Sequence, residues 1–164
     1  MNYTDFLNGK IIDDKNRTIN DILGFNNIKL EITHDYIQRV FPTMDKSKYS
    51  DVDIIKEPDL FNLWNDENAL DNVRLMYKRM LKLWKLDGDK YLNPKIFRYW
   101  VTKNNHNYLR ITRVLKSLKL LDLIPEYNDF SIRIGKFMKL NENKINEETL
   151  MYWREAINKD INFC

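Results

Sequence analysis

Residues 66–121 constrain the fold more than any other part of the chain. Behind Asp66, the apolar residues Leu70, Val73, Tyr77, Met80, Leu81 and Trp84 recur at intervals of three, four and seven. On a helix that spacing places them in one stripe. Residues 106–123, HNYLRITRVLKSLKLLDL, repeat the device: Ile111, Val114, Leu115 and Leu118 fall within about 100° of arc on a helical wheel. Arg113, Lys116 and Lys119 take the opposite side, with Arg110 at its edge. Two such stripes need further apolar helix faces to close over them, which predicts an all-α bundle. Four Gly and four Pro in 164 residues are too few for a turn-rich all-β design.

Shorter signals fill in the remaining helices. Asn8-Gly9 marks a turn. Thr18 caps TINDIL, which Gly24 stops. A helix over 28–41 takes its apolar side from Leu30, Tyr36, Ile37, Val40 and Phe41 and ends at Pro42. Residues 43–56 read as loop. Leu60, Phe61, Leu63 and Trp64 form a short helix after Pro58, and Asp87-Gly88 closes the long helix that Asp66 opens. Asn93-Pro94 starts a helix carrying Phe97, Trp100 and Val101. Pro125 marks the end of the helix begun at 106. Ile132-Arg133-Ile134 alternates like a strand, but its surroundings favour helix. Asn146 caps a last helix that has Glu147 and Glu148 in its first turn and buries Leu150, Trp153 and Ile157. The expectation is one domain, residues 1–164, an orthogonal bundle of about seven helices with little or no sheet.

The charge is unevenly spread. Residues 1–72 hold 8 Lys and Arg against 14 Asp and Glu, net −6, and residues 73–124 hold 13 against 3, net +10. The two parts either pack on each other or present a basic surface to an acidic partner. The single cysteine, Cys164, permits no intrachain disulfide and fits a reducing compartment. MNYTDFLNGK lacks the apolar run of a secretory signal, and no stretch approaches the ~18 apolar residues of a membrane span. The expected location is cytoplasmic, nuclear or both. Twenty Asn and seventeen Ile point to AT-rich coding DNA.

Several ordered blocks resemble the opioid growth factor receptor conserved domain. They are FLNGK at 6–10, TINDILGF at 18–25, HDYIQRVFPT at 34–43 and HNYLRITRVLKSLKLL at 106–121, with YWR at 152–154. The resemblance spans about residues 3–124 and implies a helical intracellular domain. It also implies a nuclear or perinuclear protein that binds Met-enkephalin and restrains proliferation. Arg39 departs from it, standing where the family usually has Trp.

His34 and His106, the only histidines, each open a signature block. If the blocks meet, His34 and Asp35 with His106 and Arg110 line one polar pocket suited to an anionic or amide ligand. The residues expected to contact a peptide or protein partner are His34, Asp35, Tyr36, Gln38, His106, Asn107, Arg110 and Arg113, several of them pointing away from the apolar stripes. The bland alternative makes the histidines structural helix-entry residues. A second reading is nucleic-acid binding through the basic 73–124 segment, with Arg110, Arg113, Lys116 and Lys119 as a continuous cationic helix face. Tyr77, Trp84, Tyr91, Phe97, Tyr99, Trp100 and Tyr108 are interleaved with its charges. No phosphate loop, G-x-S-x-G or paired-histidine motif appears, so catalytic residues, cofactors and metal ligands are expected to be absent and an uncharacterised enzyme is the lesser alternative.

Overall fold

The computed structural model describes residues 1–46, 54–88 and 93–158. Their helices are α1 (Tyr3–Leu7), α2 (Ile19–Leu23), α3 (Asn27–Ile32), α4 (Ile37–Val40), α5 (Glu57–Trp64), α6 (Glu67–Leu83), a single 3-10 turn (Pro94–Phe97), α7 (Asn107–Leu120), α8 (Ile124–Asn141) and α9 (Glu147–Asn158). No strand occurs among the described residues, and the architecture is an all-α bundle. The count exceeds seven because α1 adds a helix and the expected 28–41 helix is two. Its chain unwinds between Ile32 and Ile37. The expected loop over 43–56 falls partly on residues 47–53, outside the described residues; the described parts, 43–46 and 54–56, are not helical.

Long helices α6 and α7 form the spine. α1 lies against α5 and α6, and α7 packs between α8 and α9. The two predicted stripes are sealed: Val73, Met80 and Trp84 of α6 and Ile111, Val114, Leu115 and Leu118 of α7 are fully buried. Aromatic rings bind the layers. Trp84 stacks on Phe130 of α8 at 5.9 Å and Trp100 on Phe137 at 5.1 Å, while Tyr108 meets Trp153 of α9 edge-on at 5.7 Å.

Helix starts follow the predicted caps. Thr18 and Asp21 form a reciprocal capping box on α2, Asp66 accepts from the Ala69 amide, and Asn146 accepts from the Thr149 amide. Helix ends differ. α6 stops at Leu83, before Asp87-Gly88, through a Schellman turn in which Lys85 takes the left-handed conformation at φ 59°. The Leu86 amide reaches the Leu81 carbonyl at 2.8 Å, and Lys85 reaches Lys82 at 3.3 Å. α7 ends in the same way around Asp122, at φ 57°, with Leu123 bonded back to Leu118 at 2.9 Å. Pro125 therefore begins α8, as a first-turn proline, rather than ending α7. The 94–101 helix shortens to one 3-10 turn, so Trp100 and Val101 lie beyond it, still buried.

Candidate functional site: the junction of the two signature blocks

The side of α7 opposite its apolar stripe is not a free cationic face. Residues 30–45 lie across it, and its cations reach into them at intervals of three. Arg110 is only 4% exposed. Its guanidinium donates to the Leu30 carbonyl at 2.9 Å and the Thr33 carbonyl at 2.7 Å, with Glu31 at 3.4 Å. These are carbonyls at the C-terminus of α3, left without helical partners where the chain unwinds. A cation at that end also meets the negative pole of the helix. Arg113 Nε donates to the Phe41 carbonyl at 3.0 Å. Burial pushes its guanidinium below the ordinary arginine range, opposed by Tyr3 and Asp45. Lys116, exposed, pairs with Asp45 at 2.7 Å. Lys119 sits over the Tyr127 ring at 5.5 Å. The expected continuous cationic face of Arg110, Arg113, Lys116 and Lys119 is thus corrected. A helical wheel locates the apolar stripe but does not show which other segment covers the polar side, and long arginine stems are themselves apolar enough to be covered.

The same burial corrects the outward orientation expected of several candidate residues. Tyr36 is fully buried, its hydroxyl donating to the Leu30 carbonyl at 3.0 Å and pushed up to about 12 by that burial. The Arg110 guanidinium lies over its ring, 5.4 Å from the centroid. Gln38 and Asn107 are buried too. Asn107 accepts from Trp84 Nε1 at 3.0 Å and donates to both carboxylate oxygens of Glu31.

What remains open is a polar junction where the two blocks meet. The rings of His34, exposed, and His106, half-buried, stand edge-to-face at 5.1 Å. Glu31 Oε1 lies 2.9 Å from His106 Nε2. Burial and the neighbouring Arg110 charge hold His106 below the ordinary histidine range, with Glu31 pulling the other way and His34 adding a small push down. At neutral pH His106 is accordingly a neutral imidazole, able to donate on one nitrogen and accept on the other. Ile28 and Ile32 of α3 (72% and 68% exposed), Leu109 of α7 (54%) and Tyr99 (59%), which feels the Glu31 charge, are open apolar side chains.

Of the expected residues, the fold brings together His34, His106, Asn107 and Arg110, with Glu31 as the partner of the last three. Glu31 was absent from the candidates, because nothing in its sequence neighbourhood announces a contact 76 residues away. Asp35 instead faces Arg17, at 2.8 Å. It edges an ionic cluster in which Asp13, with a fully buried side chain, accepts from Arg17 at 2.7–2.9 Å and lies 3.5 Å from Arg39. Burial pushes the Asp13 carboxyl up, but the Arg17 side chain and the Arg17 and Lys15 amides outweigh it and hold the group below the carboxylate range. Arg39, buried, also pairs with Asp14 and donates to the Asp35 carbonyl. The Arg39 guanidinium is thereby neutralised inside the fold. Among the described residues no group of three or more His, Cys, Asp or Glu is arranged to hold a metal, and no helix is long and apolar enough to cross a membrane.

The chain matches the family model described as the opioid growth factor receptor conserved region over residues 2–161. It is 31% identical over 117 residues to opioid growth factor receptor-like protein 1 of Mus musculus and to the protein of the same name in Rattus norvegicus. Each match covers 67% of this chain and 24% of the relative, so the matched region is about a quarter of the relatives' length. No solved structure matches it.

Proposed function

The chain belongs to the opioid growth factor receptor conserved-region family, and from that premise we propose that it is a non-enzymatic intracellular binding module that takes a peptide or protein segment at the His34–His106 junction. One observation carries the reading. Two imidazoles and a carboxylate stand together, and the helices that carry Glu31 and follow His106 leave Ile32 and Leu109 more than half exposed. Polar groups that can donate and accept, next to exposed apolar side chains, suit a peptide backbone and its side chains. The buried residues around it, Tyr36, Asn107 and Arg110, hold the junction's shape and are not themselves contacts.

The relatives' names make an opioid peptide the first probe. Titration calorimetry with Met-enkephalin is expected to give saturable heat that His34→Ala with Leu109→Ala removes while the helical circular-dichroism signal stays. Heats equal to dilution refute the opioid form. The protein-partner form is tested by a photo-crosslinking residue at Leu109 in cells of the source. Capture of a partner there, lost on His34→Ala, supports it, and no captured protein refutes it.

A further inference from the structure

Once the cations that hold the fold are set aside, most of the exposed charge of the basic middle lies on α6, just past its end and on the 94–103 segment. Arg74 is paired with Glu67 and Asp71, and Arg79 donates to the Phe25 carbonyl and to Asn27. Arg110, Arg113 and Lys116 are engaged as described above. By contrast, Lys78, Lys82, Lys85, Lys95, Arg98 and Lys103 are exposed and make no side-chain ion pair or hydrogen bond among the described residues. Lys78 and Lys82 stand at i and i+4 on the exposed side of α6, and Lys85 follows in the left-handed turn that closes it. The 94–103 segment folds back on the end of that helix, where Trp100 Nε1 donates to the Trp84 carbonyl at 3.3 Å. Phe97 packs on Phe137 at 4.9 Å, which leaves neighbouring Arg98 and Tyr99 outside. Between Asp71 and Asp122 the sequence has only two carboxylates, Asp87 and Asp89, and the second lies outside the described residues.

We propose that this end of α6, with Arg98 and Tyr99, binds the phosphodiester backbone of single-stranded nucleic acid. Lysines are point charges suited to phosphates without reading bases. Lys78 and Lys82 stand about 6 Å apart along the helix axis, on the order of two phosphates of one strand, with Lys85 just past the helix end. Tyr99 supplies an exposed ring on which a base can stack beside the Arg98 charge. An acidic peptide would use the lysines but not the ring. An anionic membrane would need exposed apolar anchors along the stripe, and Leu75 is the only apolar residue the stripe offers. Its lysines and Arg98 take no part in the histidine junction, so the Lys82→Glu and Arg98→Glu pair tests it separately from the peptide-binding reading.

The test is fluorescence anisotropy of labelled oligothymidylate and oligouridylate with the full chain at about 50 and 200 mM salt. Binding is expected to weaken with salt at a log–log slope near −3, from roughly four cations at about 0.7 each. Lys82→Glu with Arg98→Glu is expected to lower affinity at least about tenfold, and Tyr99→Ala about fivefold or more. The pair Lys10→Glu and Lys15→Glu makes the same change in net charge elsewhere and is expected to cost far less. Absence of binding at the lower salt overturns the proposal, as does an equal loss in both pairs of substitutions. Displacement of the oligonucleotide by polyglutamate at matched charge also overturns it, in favour of an acidic-peptide site. Circular dichroism of each variant verifies that the helices persist.

Discussion

Arg110→Ala removes the side chain that closes α3 onto α7, and its cost follows from the contacts it abolishes. The guanidinium donates to Leu30 and Thr33 at 2.9 and 2.7 Å, in a site from which water is largely excluded. A hydrogen bond from a charged group is worth about 1.5–3 kcal/mol, and a buried acceptor left empty loses its desolvation energy as well. Leu30 keeps the Tyr36 hydroxyl at 3.0 Å, so Thr33 bears the larger part. The expected loss is about 3–5 kcal/mol, or a fall in Tm of roughly 6–20 °C for a chain of this size. Urea unfolding followed by circular dichroism measures it. Arg110→Lys, with one compact cation in place of a fork, is expected to recover only part of the stability. Because two donors converge on the Leu30 carbonyl, Arg110→Ala and Tyr36→Phe are expected to be non-additive by about 0.5–1.5 kcal/mol. A loss below about 1 kcal/mol for Arg110→Ala, the size of a surface substitution, would refute the reasoning.

Other outcomes follow from the same geometry. Since His106 is held below its ordinary pKa, the unfolded chain takes up a proton before the folded one does. Stability is therefore full above the unfolded value of about 6.5 and falls as pH drops through the depressed folded value; His106→Asn is expected to flatten urea midpoints measured from pH 7.5 to 5. Asp13→Asn keeps the shape of a fully buried side chain but leaves Arg17 and Arg39 short of a counter-charge, and equilibrium unfolding is expected to show a loss of about 2–4 kcal/mol. Asp122→Gly relieves a left-handed residue of its Cβ and is expected to stabilise by about 0.5–1 kcal/mol, read as a raised urea midpoint.

The bundle was legible where local chemistry decides structure. Thr18, Asp66 and Asn146 cap as their residue types demand, and the α6 and α7 stripes are buried as their spacing requires. Helix ends were less legible because Lys85 and Asp122 fill positions that glycine usually marks. The available signal was the apolar residue just after each, Leu86 and Leu123, both buried against the turn. The break between α3 and α4 had no local marker, since the carbonyls it frees are satisfied by Arg110 from 77–80 positions away. The same long-range fact redistributes the candidate site. Proximity of His34 and His106 could be anticipated from the paired blocks, but Glu31 on His106 could not, and neither could the burial of Gln38 and Asn107. The question left open by the charge distribution is answered for α7: its cations serve the acidic N-terminal part through backbone carbonyls and Asp45, while the unspent charge lies on α6 and the 94–103 segment.

The most direct test of this arrangement is the solvent exchange of arginine side-chain protons in nitrogen-edited NMR spectra. Arg113 Hε, bonded to the Phe41 carbonyl, and the Arg110 Hη protons on Leu30 and Thr33 are expected to exchange far more slowly than those of exposed Arg98. Exchange of Arg110 and Arg113 at the Arg98 rate would mean that the α7 cations face water, and would contradict the account.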